Sequence, residues 1–516
     1  MTGDSGVLSR TFARWLSGES RTQKARLNAV AAVLDNGARL VVGFLVNPLL
    51  VAGLGTHAFG LWQVLRQLVG YASPAGGRPT QALKWSIARA QSSTDFDAKR
   101  QYVGATLVLW CLFLPALAVA GAAVAWYAPL WMDTPLELSR AARLAAALLV
   151  ANLILTTLVE IPRATLAGEN LAYKRMGLSA LLIFAGGGLT ALAVWLDLGL
   201  AGVAACPILT SLLTGALFLG VVRRHVAWFG VARPSRAALG AFFRLSGWFL
   251  AWRVVTQVMK ASDLVVLGAF DSVEAVTVYT LTGYVPDTLV AIVLMMVSGA
   301  LPGLGGVMGA GDVARARSLR GEVFCLIWLI ATVCGTTMVA WNRTFVGLWV
   351  GPEHFAGALP TLLMVLMMLQ FVLIRVDANI IDLTLDVGRK VVIGTLGAGL
   401  SLTFAIAALT LYDGGIVGLC LGFMAGRALL TVTYPWLVGQ VLRVSLPRQL
   451  LGVARPALVT AALFLAADRM QRLALPSGWL ELVLGAGLTV GLVAPLALFA
   501  GLDGRQRRQL WKRFRA

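Results

Sequence analysis

The chain has 516 residues, of which 58% are hydrophobic and only 13% charged, with a mean hydropathy of +0.80. Soluble domains carry about a quarter charged residues, so an ordinary globular protein is excluded. The net charge of +19 comes from basic residues scattered through short loops, not gathered on one face, which argues against nucleic acid and for a multi-pass membrane protein.

Apolar runs near the ~20 residues that cross a bilayer recur throughout, and in lipid such runs have to be helices. Residues 1–26 are polar and basic without an apolar core, so they are expected to be a cytoplasmic segment and not a cleavable signal. Leu8, Phe12 and Trp15 would share one face of a short interfacial helix there. Fourteen spans follow, at about 28–54, 58–76, 102–126, 140–161, 176–196, 199–222, 245–269, 275–300, 322–341, 356–378, 390–411, 415–439, 454–470 and 479–500. The expected fold class is therefore all-α and polytopic. Its divisions are a six-helix bundle over 27–222, a cytoplasmic linker at 223–244 and a second six-helix bundle over 245–440. Two further spans within 441–500 and a basic tail at 501–516 complete it.

Sorting the 43 Lys and Arg fixes an orientation. The N-terminus, the even-numbered loops and the C-terminal tail hold 32, the opposite loops three (Arg343, Arg469, Arg472), and eight lie in or at the edge of spans. Such an asymmetry is expected to place both termini in the cytoplasm. No segment outside the spans exceeds about 30 residues, so function is expected among the helices.

Charges inside spans are expensive and point to function or pairing. The first span carries Asp35 and Arg39, four apart on one face and able to pair, with Asn47 further along it. The second carries Arg66. The seventh carries Arg253, Lys260 and Asp263, the first two on one stripe. The tenth ends in Arg375, Asp377, Asp382 and Asp386, and the twelfth holds Arg427. Bases outnumber acids at depth, even counting Glu160 at an inner helix end. A water-filled cationic cavity for an anion accounts for the surplus, and arginine suits phosphate because its planar fork donates two parallel hydrogen bonds. The competing explanation is structural ion pairs and side chains snorkelling from span ends. On the cavity reading the substrate-binding candidates are Arg39, Arg66, Arg253 and Lys260. Asp35, Asp263, Arg375, Asp377 and Arg427 are candidates for ion coupling or pairing.

Other motifs carry no chemistry. LPGLGGVMGAGD lacks the Lys-Ser/Thr of a phosphate-binding loop, and the Asp95-x-Asp97 of TDFD reads as a solvated turn. His57, His225 and His354 sit in separate loops. The five cysteines lie in apolar runs without a CxxC, so no metal, cofactor or disulfide framework is expected. Residues 39–62 and 256–279 share the pattern of a charge-bearing span, a short turn and a small residue before an aromatic. Their offset of about 217 residues suggests an internal repeat.

Several stretches, in order over about residues 27–440, resemble the polysaccharide-exporter branch of the multidrug/oligosaccharidyl-lipid/polysaccharide flippase superfamily, which includes O-antigen flippases. They are LVNPLLVAGLGTHAFGLWQVL, GGRPTQALKWSIARAQ, ALPGLGGVMGAGDVARARSL, TFVGLWVGPEHFAGALPTLLMVL and YDGGIVGLCLG; LAGENLAYKR after the fourth span matches least. The resemblance implies two six-helix bundles around a central cavity working by alternating access, with Arg39, Arg66, Arg253 and Lys260 meeting a pyrophosphate. It also implies that the last two spans help form a groove for a lipid tail. The implied cargo is a polyprenyl-pyrophosphate-linked oligosaccharide, an O-antigen or exopolysaccharide repeat unit, carried to the periplasmic leaflet. The implied partners are membrane lipids and a glycan polymerase or glycosyltransferases of the same pathway, with no nucleic acid. The alternatives are a multidrug or cation antiporter of the same superfamily, whose cavity should be acidic, and a membrane glycan polymerase or ligase, which usually carries a longer outer loop than the roughly 15 residues available here.

Overall fold

The computed structural model describes residues 21–508, apart from 78, 92, 133, 237–238, 241, 244–253, 255–256, 259–261, 310, 384–386 and 472–477. The interfacial helix expected around Leu8, Phe12 and Trp15 lies outside the described residues. The chain divides into two compact units, Met1–Ala261 and Ser262–Ala516.

The first unit opens with α1 (Arg21–Ala72), a run of 52 residues broken at Gly55, where φ is 78° and ψ 165°. A backbone in that region favours glycine, and the break divides α1 into the first two expected spans. There follow α2 (Pro79–Arg89), α3 (Phe96–Trp131), α4 (Leu136–Gly168), α5 (Leu178–Trp195) and α6 (Gly199–His225). The helix α2 is amphipathic and buries Ala82, Leu83 and Ile87 against α3 and α4. Gly168 permits that approach, since a Cβ there would lie 2.7 Å from the Ile87 Cβ and 2.9 Å from the Lys84 carbonyl oxygen. Polar bonds join the long helices where lipid offers no alternative partner: Trp110 Nε1 donates to the Ile154 carbonyl at 3.2 Å, and Ser211 Oγ to Asn152 Oδ1 at 2.8 Å.

In the second unit residues 262–270 are helical and lead into α7 (Val273–Thr282) and α8 (Tyr284–Gly309). The eighth expected span is thus not straight but bent by 55° at Gly283. The bend is held by side chains: Asn342 Nδ2 donates to the Thr282 carbonyl at 3.0 Å, and the Ala356 amide to Thr282 Oγ1 at 2.9 Å. Then come α9 (Val313–Trp349), α10 (Ala358–Leu383), α11 (Val387–Tyr412), α12 (Gly415–Leu442), α13 (Leu446–Met470) and α14 (Trp479–Leu496). The pair α11–α12 packs backbone to backbone. On α12, Cβ atoms at Gly422 and Gly426 would lie 2.5 Å from the Ala405 Cα and 2.2 Å from the Ser401 amide of α11, so only glycine lets the backbones meet.

Among the described residues eleven helices are long and apolar enough to cross a membrane, or twelve with the bent α7–α8 pair counted as one span. One of the eleven, Val30–Gly76, contains the Gly55 break and so both of the first two expected spans. Most of the seventh expected span lies outside the described residues. Two boundaries move outward for one reason. The stretches expected as cytoplasmic loops before the third and ninth spans continue the helix, because Asp95 accepts the Ala98 amide at 2.9 Å and Asp312 the Arg315 amide at 2.9 Å, each as an N-cap. Asp95 of the D-x-D stretch is therefore a cap, and Asp97 an exposed partner of Arg100 at 3.2 Å.

Candidate functional site

In the first unit the N-terminal part of α1 is tied to the segment between α4 and α5. Asn28 Nδ2 donates to Asn170 Oδ1 at 2.6 Å, and the Tyr173 amide donates to Asn28 Oδ1 at 2.8 Å. Asp35 is buried and paired with Arg175 at 3.0 Å, while Arg175 also donates to Ser179 Oγ at 2.8 Å. Burial pushes the Arg175 guanidinium below the ordinary arginine pKa, the Arg163 charge adds to this, and Asp35 opposes both. The expected Asp35–Arg39 pair is therefore not formed. In place of the intrahelical i,i+4 contact, a cation 140 residues away in the chain reaches the carboxylate in a mostly buried setting, where an ion pair is stronger.

Arg39 is left exposed, with no ion pair or hydrogen bond to the described residues. Arg66 is also exposed: it lies 5.8 Å from the Trp62 ring centroid and 3.5 Å from Gln63 Oε1. Neither arginine has a carboxylate partner among the described residues. One turn beyond Arg66, Gly70 leaves room for Gln257, since a Cβ there would lie 2.7 Å from the Gln257 amide nitrogen. Arg253 and Lys260, expected on the same stripe as one another, lie outside the described residues.

The loop that matches the resemblance least ties α3 to the segment after α6 in this unit. Glu169 pairs at 2.9 Å with the buried Lys99, and accepts the Trp228 indole N–H at 2.9 Å. Lys99 Nζ stands 5.4 Å from the Trp228 ring centroid. The segment after α6 is strapped to α3, with the Ala232 amide donating to the Arg100 carbonyl at 3.2 Å and Arg100 Nε to the Trp228 carbonyl at 3.0 Å.

In the second unit Asp377 is buried and receives both Nε and Nη2 of Arg320, at 3.1 and 2.8 Å. It is a structural lock between α9 and α10. Asp382 pairs with the fully buried Lys390 of α11. Arg375 keeps a buried Nε without a hydrogen-bond partner. Asp263 accepts the Tyr279 hydroxyl and the Leu264 amide, each at 3.0 Å. Arg427 is buried near the middle of α12, 5.2 and 5.6 Å from the Phe423 and Phe371 ring centroids.

The structure thus separates the candidate residues into two groups. Asp35 and Asp377 are held by Arg175 and Arg320, which the sequence places in basic loop segments without marking them as partners. Arg39 and Arg66 stay without a counter-charge. Among the described residues no cluster of three or more metal-ligating side chains occurs. Tyr279 and Glu169 gave no sequence signal, because their partners are 16 to 70 residues away.

No family model matches the sequence, and no curated protein matches it. Solved structures do share its fold. MurJ, a lipid II flippase in an inward closed conformation, superposes with a TM-score of 0.67 at 10% identity, over 91% of this chain and 97% of its own. An inward-facing multidrug resistance MATE family transporter of the MOP superfamily gives 0.63 at 15% identity, over 80% and 98%. An outward-facing one gives 0.58 at 16% identity, over 81% and 95%. At these identities the likeness is one of fold: the chain is an all-α polytopic membrane protein built like these transporters.

Proposed function

We propose that the chain is a transporter that carries a polyprenyl-pyrophosphate-linked oligosaccharide, an O-antigen or exopolysaccharide repeat unit, from the cytoplasmic to the periplasmic leaflet of the bacterial inner membrane by alternating access. The observation that carries the reading is the state of Arg39 and Arg66: two arginines of the first two spans, exposed and without a carboxylate, while the nearby Asp35 is neutralised by Arg175. An unpaired guanidinium within a span is costly unless it meets water or an anion, and its planar fork fits the oxygens of a pyrophosphate. Arg253 and Lys260, which share one stripe of the seventh expected span, are the other two cationic candidates in the sequence. The lipid II flippase fold covers more of this chain than the multidrug transporter folds do, which supports a lipid-linked cargo. Both termini are cytoplasmic on the charge asymmetry of the loops. An anionic headgroup moving outward is favoured by an inside-negative potential.

The second reading, a multidrug antiporter, is favoured by the MATE likeness and opposed by the basic character of the spans. The two part in one experiment. Cells lacking the protein, and the same cells complemented with wild type or Arg39→Ala, are compared for their lipid-linked glycans by thin-layer chromatography. Accumulation of undecaprenyl-linked oligosaccharide that wild type clears and Arg39→Ala does not is the expected result. An unchanged pool with raised sensitivity to cationic drugs replaces this reading with the antiporter.

A further inference from the structure

The turn that ends α14 gathers two arginines whose charge no carboxylate meets. Past Leu496 the helix closes in a π-type turn over Ala497–Gly501, where carbonyls lose their helical partners. Arg455 of α13 takes two of them: Nε donates to the Ala500 carbonyl at 2.7 Å and Nη2 to that of Phe499 at 3.3 Å. These bonds fix the guanidinium and use two of its five N–H donors. The other three have no partner among the described residues, and the side chain is exposed. Arg507 comes to the same turn, its guanidinium carbon 5.3 Å from the Phe499 ring centroid. One residue thus holds two guanidiniums, one on its carbonyl and one on its ring. Neither has an ion pair among the described residues. Asp503, close by in the chain, gives Oδ1 to the Arg505 and Gln506 amides at 2.8 and 2.7 Å. Residues 504–516 hold six Lys or Arg and no acid. Two like charges on one residue repel one another, and an anion within reach of both relieves the repulsion.

The surroundings of the turn are apolar. On α14, Leu488, Leu492 and Leu496 form one stripe with Phe499, and each is more than half exposed. On α13, Leu458 and Leu465 continue the face that carries Arg455, and both are likewise more than half exposed. Exposed leucines on spans face hydrocarbon, so the two arginines stand where hydrocarbon gives way to water. A ligand that fits has an anionic head and apolar chains together. We propose that Arg455 and Arg507 hold the phosphodiester of an anionic phospholipid, with its acyl chains along the exposed leucines of α13 and α14. The guanidinium of Arg455, fixed by the two carbonyls, turns its open N–H groups to the phosphate oxygens, and Arg507 adds the second charge. The lipid is a resident of the second unit and not the cargo.

The test is native mass spectrometry of the purified full-length protein in neutral detergent, titrated with dioleoylphosphatidylglycerol or dioleoylphosphatidylcholine. It reads the apparent Kd of the first lipid bound. No glycan enters it, so its failure is distinct from failure of the transport reading. Wild type should bind phosphatidylglycerol about tenfold or more tightly than phosphatidylcholine, since each arginine near an anionic headgroup contributes about fivefold. Arg507→Gln should weaken phosphatidylglycerol about fivefold and leave phosphatidylcholine unchanged, whereas Arg507→Lys, which keeps the charge, should stay within about twofold of wild type. Arg455→Gln should lose as much as Arg507→Gln. If Arg455→Gln is not recovered folded, Arg507→Gln decides, because the Arg507 side chain makes no hydrogen bond to the described residues. Arg223→Gln, which removes an exposed charge at the end of α6, should change nothing. Three results overturn the proposal. They are equal affinity of wild type for the two lipids, a loss in Arg223→Gln as large as in Arg507→Gln, and displacement of phosphatidylglycerol by an equal concentration of undecaprenyl phosphate.

Discussion

Asp35 and Arg39 show how a single side chain changes its meaning between sequence and structure. Four apart on one helix face, they read as a pair, and helical geometry allows it. The folded chain instead brings Arg175 to Asp35 at 3.0 Å, and Arg39 is left with no carboxylate. The two residues should therefore respond differently to substitution. Asp35→Asn leaves Arg175 without its counter-charge in a mostly buried setting, at a cost of about 2 kcal/mol, below the figure for a fully buried pair because both side chains keep a little exposed surface. A lowered unfolding midpoint of the purified protein, restored in part by adding Arg175→Met, checks this. Arg39→Ala removes an exposed side chain that holds nothing, so the midpoint should stay within about 0.5 kcal/mol of wild type while glycan clearance is lost. A midpoint that fell with the clearance would make Arg39 a structural residue and weaken the cationic-path reading.

At the scale of elements, the helices that can be read from sequence are those whose signal is local. Apolar runs gave α3 to α6 and α9 to α14 within a few residues at most ends, and the Gly55 turn was marked by the GLGTHAFG stretch. What was not legible depended on distant partners. The bend at Gly283 is fixed by Asn342 and the Ala356 amide, more than 55 residues on, so nothing near Gly283 announces it. The extension of α3 and α9 into their basic segments follows from the caps at Asp95 and Asp312, signals that were present but outweighed by the charge of the residues after them. The glycines at 418, 422 and 426 illustrate a pattern visible in sequence whose use is visible only in packing. Spaced by four, they form one stripe of α12, and Ala405 and Ser401 of α11 lie directly against it. Gly422→Val should overpack this contact by about 3 kcal/mol and lower both yield and midpoint. Gly399→Ala, on α11 with open space around it, should change neither measurably. Equal losses from both substitutions would mean that the α11–α12 contact is looser than described.

Over the whole molecule, the asymmetry of basic residues is the strongest signal in the sequence, and the structure shows that several of these side chains hold helices and loops together. Lys99 and Arg175 tie down the loop after α4, Arg320 locks α9 to α10, and Arg317 Nη2 donates to the Leu442 carbonyl at 2.8 Å, capping the end of α12. Arg455 Nε donates at 2.7 Å to the Ala500 carbonyl in the π-turn that ends α14. The last two helices belong to the same scheme. They extend the second unit, since Cys325, Trp328 and Val333 of α9 pack against Val493 and Ala497. Trp328 Nε1 donates to Thr460 Oγ1 at 2.9 Å, with Thr332 on the same hydroxyl, and Trp341 Nε1 donates to Thr489 Oγ1 at 2.9 Å. Such interhelical bonds in a membrane contribute about 1 kcal/mol each, and their loss strands a buried indole N–H where lipid cannot replace the partner. A chain ending at Ser445 should therefore fail to give a monodisperse protein in detergent, whereas Thr460→Val should fold and lose only about 1 kcal/mol. Size-exclusion profiles and unfolding midpoints of the two variants separate the cases. A truncated chain that stayed monodisperse with a wild-type midpoint would make α13 and α14 an accessory to the second unit, free to serve the lipid tail alone.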